Sequence, residues 1–449
     1  MLDAWRAAGA EVAVVGLGKS GVAATLLLRD RGVRVYASDT GSGPEHRDWE
    51  ATLAGAGADV QLGSHDLSRI ARSAAVIVAP GVPPEAAPLA AARAAGVMIY
   101  AEADLGVSQL PATQCVGITG TNGKTTTTSL IGHVMAAAGL RAETAGNIGR
   151  PVCDIARRPT PPDWLALELS SFQLHDMPHL APAVGVLTNL APNHLDRYRS
   201  LEEYYGDKAL LFRNATEQSI WVSNADDPAV QAMVETVPGR HRRFSIRGRA
   251  DAWYDRAGGR LMLDAHAVMP RSDLPLMGDH NVANALATLL ATDAAGVAPP
   301  GIAAGLRTFR AIPHRVEPLR EVDGVLWIND SKSTNITSTE VAIAALDRPF
   351  VLLLGGRHKG EPYTRLAPLL RDRCRTVIAY GEASEIIQRD LAGHARVIPA
   401  GSFADVLAAA RAEARPGDAV LLSPACSSFD MFRNYEERGE TFRRAVLAL

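Results

Sequence analysis

The stretch ITGTNGKTTTT, residues 118–128, decides the fold of the central part of this chain. The strand-like run QCVGIT leads into it, and apolar residues then recur at helical spacing as far as Gly139. A strand, a glycine turn and a helix in this order direct the free N–H groups of the helix start toward a phosphate. Lys124 adds a mobile positive charge, and Thr125 adds a hydroxyl suited to Mg²⁺. The stretch therefore predicts a nucleoside triphosphate site.

The glycine turn departs from the strict pattern G-x-x-x-x-G-K-[ST], which requires glycine at position 118, where this chain has Ile118. A purely structural G-K-T turn is the alternative interpretation. Because both the preceding strand and the following helix are present, nucleotide binding is the favoured prediction.

Composition narrows the class of protein. The 449 residues exceed the usual size of one domain, about 150 residues, so several domains are expected. A net charge of -3 gives no reason to expect a nucleic acid or an anionic membrane as partner. The four cysteines form no C-x-x-C pair, and no apolar run approaches the ~18 residues of a membrane span. We expect a cytoplasmic protein without membrane insertion.

The first segment begins with the strand EVAVV, the glycine turn GLGKSG and a second strand that ends at Asp39. Gly16, Gly18 and Gly21 match G-x-G-x-x-G, a pattern typical of dinucleotide binding. The same turn also arises where a helix packs closely on a strand. The fingerprint alone therefore leaves NAD or NADP binding and a structural role both open.

Further polar side chains follow strands of the central segment. DWLALEL ends near Glu168, where a Mg²⁺ ligand is expected beside a phosphate loop. A cap for the turn at Ser170 and Ser171 is the alternative role for Glu168. The run AVGVLTNL leads to Asn189 and His194, and a lone histidine there is typical of an ordinary loop. The stretch at 298–315, APPGIAAGLRTFRAIPHR, is predicted to be a linker.

The third segment alternates strands and helices again and predicts a second mostly parallel sheet. Polar clusters follow its strands at 329–335, 355–360 and 423–430. Because the carboxyl ends of parallel strands meet at one edge, these loops should line one site.

The motifs TGTNGKTT, NHLDRY, YYGDKALLF, DHNVANALA, PHR and NDSKSTN occur in this order and spacing over essentially the whole chain. The set resembles the Mur ligases of peptidoglycan precursor synthesis. The C-terminal LSPACSSFDMFRNYEERG is most similar to the members that add D-glutamate, and the DNPR motif expected of diaminopimelate-adding members is absent.

The resemblance implies an α/β fold of three domains. Residues 1–102 would form a Rossmann-like domain that binds a UDP-muramoyl substrate, and no nicotinamide cofactor is then expected. Residues 103–311 would form a P-loop ATPase-like domain, and residues 312–449 a Rossmann-like α/β domain that binds the amino acid.

The resemblance also implies the reaction. ATP would phosphorylate the alanyl carboxylate of UDP-N-acetylmuramoyl-L-alanine, and D-glutamate would displace phosphate from the acyl phosphate. The implied cofactors are ATP, Mg²⁺, expected as two ions, and CO₂ for carbamylation of a lysine. A monomer is expected, and the sequence leaves D- against L-glutamate open.

The residues implied by the resemblance fall into four groups. Those expected at ATP are Gly120, Thr121, Asn122, Gly123, Lys124, Thr125, Thr126, Asn281, Asn284, Arg315 and Asp330. Those expected at the UDP-muramoyl substrate are Gly18, Lys19, Ser20, Asp39, Thr40, Gly81, Asn147 and His194. Those expected at glutamate are Lys332, Thr334, Lys359, Ser428, Phe429 and Tyr435, and His314 is a further residue carried over from the family without an assigned ligand. Those expected to be catalytic are Lys124, Glu168, His194 and Lys208, and Thr125, Glu168, His194 and carbamylated Lys208 would hold the metals.

Lys208 poses an electrostatic problem as a metal ligand. An ammonium ~4 Å from a divalent cation would be repelled by about 8 kcal/mol at an effective dielectric constant of 20. The resemblance implies carbamylation, which makes the side chain an anionic ligand, whereas an exposed helical lysine is the alternative. Asn193 replaces the usual aspartate before His194, which predicts weaker support of the second metal.

Two other classes of function remain as alternatives. One is an NAD(P)-linked oxidoreductase with an accessory ATPase domain, and the other is a noncatalytic nucleotide switch or scaffold. Both leave the three polar loops of the third segment unexplained.

Overall fold

The computed structural model describes residues 1–192 and 198–449. The chain forms two compact units, of which one comprises Met1–Asp273 with Ala283–Thr308 and the other comprises Leu274–Val282 with Phe309–Leu449. The first unit holds two sheets and the second unit holds one. Within the described part of the chain, no helix is both long and apolar enough to cross a membrane.

The first sheet is entirely parallel, with strand order β3-β2-β1-β4-β5. Its strands are β1 (Glu11–Val15), β2 (Arg34–Asp39), β3 (Asp59–Leu62), β4 (Ala75–Val78) and β5 (Ile99–Ala101). The accompanying helices are α1 (Leu2–Ala7), α2 (Lys19–Asp30), α3 (Pro44–Gly55), α4 (Leu67–Ile70), α5 (Ala87–Ala94) and α6 (Glu102–Ser108). β1 and β4 are buried because helices cover both faces. The strand order reverses between these two strands, which opens a crevice at their carboxyl ends.

The second sheet has nine strands in the order β14-β13-β12-β11-β10-β9-β6-β8-β7. Its strands are β6 (Gln114–Thr119), β7 (Ala142–Gly146), β8 (Trp164–Glu168), β9 (Val184–Leu187), β10 (Ile220–Asn224), β11 (Arg240–Ser245), β12 (Ala252–Asp255), β13 (Arg260–Leu263) and β14 (His266–Pro270). The strands from β6 to β12 pair in parallel, and β13 pairs antiparallel with both of its neighbours. β6 lies between β8 and β9, so the three strand ends meet around the glycine turn.

In the described part of the chain, seven α-helices accompany this sheet. They are α7 (Lys124–Ala137), α8 (Val152–Ala156), α9 (Ser171–His175), α10 (Leu201–Ala209), α11 (Pro228–Val234), α12 (Asp279–Ala294) and α13 (Pro299–Thr308). The linker prediction for 298–315 was wrong over α13. Pro299 fits the first turn of a helix, and Gly305 lets α13 approach α7 so closely that a Cβ would lie 2.9 Å from Cα of Val134.

The third sheet has the order β15-β16-β20-β17-β18-β19, and only β15 pairs antiparallel. Its strands are β15 (Glu317–Val322), β16 (Val325–Asn329), β17 (Phe350–Gly355), β18 (Cys374–Tyr380), β19 (Val397–Ala400) and β20 (Ala419–Leu422). The helices are α14 (Ile336–Ala344), α15 (Ala367–Leu370), α16 (Ser384–Asp390), α17 (Phe403–Glu413) and α18 (Tyr435–Leu447). The predicted class of mostly parallel α/β sheets is confirmed, whereas the boundaries at 102 and 311 stay a prediction.

Candidate active site

The glycine turn between β6 and α7 has a backbone that only glycine adopts without strain at two positions. Gly120 has φ +143° and Gly123 has φ +81°. A Cβ at Gly120 would lie 2.1 Å from Oγ1 of Thr188, and one at Gly123 would lie 2.5 Å from Oδ1 of Asn284. Helix α7 begins at Lys124, so the N–H groups of its first turn lie at this turn. The turn has the geometry of a phosphate-binding loop.

Two lysine side chains converge on the carbonyl of Gly120. Lys124 Nζ donates to this oxygen at 3.0 Å, and Lys208 Nζ donates to it at 2.8 Å. The Lys208 ammonium also lies 4.6 Å from the ring centroid of Tyr204. Lys208 is only 1% exposed, so the alternative of an exposed helical lysine was wrong. Burial, with a smaller contribution from the charge of Lys124, lowers the pKa of Lys208 to about 6.

Glu168 lies at the end of β8, beside the phosphate loop, and is 2% exposed. Its Oε1 accepts a hydrogen bond from Asn147 Nδ2 at 2.8 Å. Its Oε2 is buried and has no hydrogen-bond partner among the described residues. The capping interpretation was wrong, because Ser170 and Gln173 form the cap of α9. A buried, unpartnered carboxylate oxygen beside a phosphate loop fits a Mg²⁺ ion.

The prediction that His194 is a metal ligand falls outside the described part of the chain. Asn193 lies outside the described residues as well. Among residues 1–192 and 198–449, no group of three or more histidine, cysteine or acidic side chains could hold a metal ion. Thr125 is half-buried in the first turn of α7, next to the phosphate loop. The residues present thus suit a metal held partly by protein oxygens and partly by phosphate.

Four further residues predicted at ATP, Thr121, Asn122, Thr126 and Asn284, lie in the loop or beside it within the first unit. Thr121 and Asn122 form its outer bend, and Thr126 follows in α7. Asn284 touches the loop, because its Oδ1 accepts from Thr127 Oγ1 at 3.2 Å. Asn281, one turn earlier in α12, donates from Nδ2 to the carbonyl of Met277 at 2.8 Å.

A cavity of about 770 Å³ opens at the carboxyl ends of β1, β2 and β4. The described residues predicted at the UDP-muramoyl substrate all line it, namely Gly18, Lys19, Ser20, Asp39, Thr40, Gly81 and Asn147. This volume is in the range of pockets that enclose a small organic ligand. The structure therefore brings these residues together at the crevice where the strand order reverses.

Asp39 organises the walls of this cavity. Its Oδ2 accepts from the N–H of Leu17 and its Oδ1 accepts from the N–H of Gly41, each at 2.6 Å. The carboxylate thus joins the glycine turn after β1 to the turn after β2. Close packing explains Gly21, because a Cβ there would lie 1.8 Å from the carbonyl oxygen of Gly16.

The sequence analysis missed His65, which also lines the cavity. His65 Nδ1 lies 2.8 Å from Oγ of Ser38, and burial lowers the pKa of the imidazole. Its signal was present in the sequence, since GSHD follows β3 at the same edge of the sheet. The sequence alone does not show that β3 lies beside β2, and this pairing is what brings His65 to the cavity.

The three polar loops of the second unit come together as predicted. They follow β16, β17 and β20, which are neighbours in the order β16-β20-β17. Main-chain hydrogen bonds join them, from Ala425 N to the Ser333 carbonyl at 3.0 Å and from Arg357 N to the Ser427 carbonyl at 2.9 Å.

Four of the side chains predicted to contact glutamate form two hydrogen-bonded pairs. Lys332 Nζ donates to Tyr435 Oη at 2.7 Å, and Lys359 Nζ donates to Thr334 Oγ1 at 3.3 Å. Ser428 is buried and Phe429 is 62% exposed, so these neighbours in sequence have different surroundings. The site offers two compact cationic groups with a hydroxyl beside each.

Asp330, which was predicted to contact ATP, accepts hydrogen bonds from other residues of the second unit. Its Oδ1 accepts from Val316 N at 3.1 Å and its Oδ2 accepts from Ser423 Oγ at 2.7 Å. Burial raises the pKa of this carboxyl to about 6, and the charge of Arg315 opposes the rise. His314 and Val316 have φ +65° and +41°, so Asp330 stabilises a strained turn.

The fold and these sites define an α/β protein of the phosphate-loop class with an adjoining cavity of ligand size. Three family models match it: "Mur ligase MurD-like, N-terminal domain" over residues 10–101, "Mur ligase middle domain" over 118–292, and "Mur ligase, glutamate ligase domain" over 314–426. The chain belongs to the Mur ligase family.

Curated relatives agree with this family. The chain is 40% identical over 446 residues to the UDP-N-acetylmuramoylalanine–D-glutamate ligase of Acidobacterium capsulatum, covering 98% of this chain and 96% of the relative. It is 40% identical over 454 residues to the enzyme of the same name from Salinibacter ruber, covering 97% of each chain. The resemblance inferred from the sequence motifs is therefore confirmed.

Solved structures show the same fold at low identity. UDP-N-acetylmuramate-alanine ligase from Thermotoga maritima matches with a TM-score of 0.63 and 17% identity, over 98% of this chain and 99% of that one. A pseudomurein peptide ligase type C from Methanothermus fervidus matches with a TM-score of 0.60 and 20% identity, over the same shares of the two chains.

Proposed function

We propose that this chain is an ATP-dependent ligase that joins D-glutamate to UDP-N-acetylmuramoyl-L-alanine, with release of ADP and phosphate. It would act as a cytoplasmic monomer in the synthesis of peptidoglycan precursors. One observation carries the proposal. Asn147 lines the 770 Å³ cavity and also donates to Glu168 beside the phosphate loop. A sugar nucleotide in the cavity would therefore end close to the ATP site.

The first chemical step follows from the weakness of a carboxylate as an electrophile. The alanyl carboxylate would take the γ-phosphoryl group of ATP, forming an acyl phosphate and ADP. Lys124 and the N–H groups at the start of α7 would bind the phosphate oxygens and neutralise their charge. Thr125 and Glu168 would hold Mg²⁺, which when bound screens the negative charges that must meet in this step.

Carbamylation of Lys208 is the second part of the proposal. The amine is buried, and the contacts described for its Nζ are the Gly120 carbonyl and the Tyr204 ring. Such a site disfavours the ammonium form and leaves the nitrogen lone pair available. Attack of the neutral amine on CO₂ would form an N–C bond and release one proton, which leaves a carbamate with one negative charge. This group could hold the second metal, for which an ammonium is unsuited.

The nucleophile of the second step would be the amine of glutamate, which we propose binds to residues of the second unit. Lys332 and Lys359 would bind the two carboxylates of glutamate, each as a compact charge with a neighbouring hydroxyl. The glutamate amine would attack the acyl phosphate carbon, lose a proton and expel phosphate, which leaves the new amide.

A coupled assay tests the proposed reaction. Purified protein with Mg·ATP, bicarbonate and UDP-N-acetylmuramoyl-L-alanine should release phosphate when D-glutamate is added, and mass spectrometry should detect the new amide. L-glutamate in a parallel reaction tests the choice of enantiomer. Phosphate release without the sugar nucleotide would favour a nucleotide switch, and the absence of both ADP and amide would refute the ligase.

A second experiment tests the carbamate. Lys208→Ala should lose activity by at least a hundredfold and regain part of it with formate, which supplies the missing anionic oxygens. The matched control is the same variant with chloride at equal ionic strength, which should give no recovery. Full activity of Lys208→Ala without formate would refute the carbamate while leaving the ligase intact.

A further inference from the structure

The residues that follow β9 fasten the phosphate loop. Asn189 accepts from Asn122 N at Oδ1 (2.8 Å) and donates from Nδ2 to the Asn122 carbonyl (2.9 Å). Its own carbonyl accepts from Thr121 N at 2.9 Å. Thr188 Oγ1 donates to the same Asn122 carbonyl at 2.7 Å. One asparagine thus satisfies both main-chain groups of Asn122, as a neighbouring strand would.

Two of these hydrogen bonds use main-chain N–H groups of the loop, which a phosphate could otherwise bind. The N–H groups of Thr121 and Asn122 donate to Asn189, so they are directed away from any bound anion. The next N–H groups, from Gly123 onward, stand at the start of α7. The loop therefore has a part that Asn189 fastens, Thr121–Asn122, and this part leads directly into the first turn of α7.

Other elements hold the two fastening residues. The Thr188 carbonyl accepts from Asn224 Nδ2, at the end of β10, at 3.0 Å. The N–H of Leu190 donates to Oδ2 of Asp227, just before α11, at 2.8 Å. The segment Thr188–Leu190 is therefore fixed on both sides, and it transmits this rigidity to the loop.

We propose that Asn189 is a positioning residue for ATP, which acts by holding Thr121 and Asn122 rather than by touching the nucleotide. It keeps the N–H groups from Gly123 onward aimed at the phosphates. The inference rests on the proposed function only in that the loop binds ATP. Removal of the side chain leaves the Asn122 N–H without its acceptor and the Asn122 carbonyl with the Thr188 hydroxyl as its remaining side-chain donor. The loop can then take other conformations, and ordering it on binding lowers the affinity for the nucleotide.

The test compares Asn189→Ala with a matched asparagine variant in the same unit. Asn214 Nδ2 also donates to two main-chain carbonyls, those of Pro178 and Leu180, each at 2.9 Å, away from the loop. Calorimetry should show ADP affinity at least tenfold weaker for Asn189→Ala and unchanged for Asn214→Ala. The KM for ATP should rise to the same extent, while the KM for UDP-N-acetylmuramoyl-L-alanine stays within twofold.

A second variant covers the case in which Asn189→Ala does not fold. Thr188→Val removes the hydroxyl that donates to the Asn122 carbonyl at 2.7 Å and to the Thr119 carbonyl at 3.3 Å, and it should weaken ADP binding in the same direction but less. Unchanged ADP affinity in a folded Asn189→Ala or Thr188→Val variant would overturn the inference. Equal weakening of nucleotide and sugar-nucleotide binding would also overturn it, since that pattern indicates a general loss of structure. If the unmodified protein binds no ADP, the proposed function fails instead.

Discussion

Lysine is scarce in this chain, and its positions are informative. Of the 46 basic residues, only five are lysines, namely Lys19, Lys124, Lys208, Lys332 and Lys359. Every one of them occupies a position assigned here to the sugar nucleotide, the phosphate loop, the metal or the amino acid. Surface ion pairs use arginine instead, as in Arg141 with Asp163 and Arg357 with Glu382. Arginine stays protonated and bidentate, whereas lysine offers a compact charge and can lose its proton.

This distribution predicts that amine-selective acetylation will act as an active-site probe. Acetylation removes the charge of each accessible lysine, so activity should fall by more than tenfold once Lys124, Lys332 and Lys359 are modified. Lys208 should react last because it is 1% exposed. Mass spectrometry of the modified sites, read together with residual activity, checks this order. Mg·ATP during modification should protect Lys124 selectively. Retained activity with all exposed lysines acetylated would contradict the assignments.

At the scale of elements, α18 fastens, through Arg438, the loops that we propose to form the amino-acid site. This guanidinium is fully buried. It donates to the carbonyl and Oγ of Ser331 at 2.8 and 2.9 Å, and to the carbonyl of Cys426 at 3.2 Å. Ser331 precedes Lys332, and Cys426 lies two residues before Ser428. One side chain thus sets the spacing of two loops that follow neighbouring strands.

Arg438→Met should therefore damage the amino-acid site more than the nucleotide site. Methionine fills part of the volume but leaves the Ser331 and Cys426 carbonyls without these donors, which should cost about 3 kcal/mol of stability. The KM for glutamate should rise by at least tenfold, with ADP affinity unchanged. Arg444→Met, on the exposed face of the same helix, is the matched control and should leave both values unaltered. Thermal unfolding and steady-state kinetics measure the two effects.

The elements show why part of the site was predictable from the sequence. β6, β8 and β16 are apolar runs that end in polar or glycine residues, so the phosphate loop, Glu168 and the loop at 329–335 could be found from local pattern. The fastening of Asn122 by Asn189 could not, because the two residues are 67 positions apart in the chain and meet only where β9 lies beside β6. Arg438 and His65 were missed for the same reason. The strand β11 (RHRRFS) is hard to predict because four of its six residues are arginine or histidine, which hides the alternation of apolar and polar residues.

At the scale of the whole molecule, the first and second sheets are joined through α6 and α8. Glu102, the first residue of α6, accepts from Cys153 N in α8 at 2.7 Å. The Cys153 thiol donates to the Glu102 carbonyl at 3.3 Å. Oε2 of Glu102 is buried without a hydrogen-bond partner among the described residues. Burial raises the pKa of this carboxyl to about 7, and the charge of Asp154 adds to the rise.

This shift makes the first unit less stable at higher pH. The unfolded chain releases the Glu102 proton near pH 4.5, whereas the folded chain keeps it until about pH 7. Stability from this group is therefore fully present below pH 4.5 and is lost as pH rises through 7, by about 3 kcal/mol at most. Glu102→Gln keeps an acceptor for Cys153 N and cannot ionise, so the variant should unfold at a higher temperature than the unmodified protein at pH 8 and at a similar one at pH 5.

Differential calorimetry across pH 5 to 8.5 measures this effect. Asp104 and Asp176, whose pKa values burial also raises, are present in both proteins, so the difference between the two melting curves isolates Glu102. Glu235→Gln, on an exposed site of the same unit, is the matched control and should follow the unmodified protein at every pH. Parallel pH profiles for Glu102→Gln and the unmodified protein would mean that Glu102 is already ionised in the folded chain, and that the junction of the two sheets tolerates a buried charge.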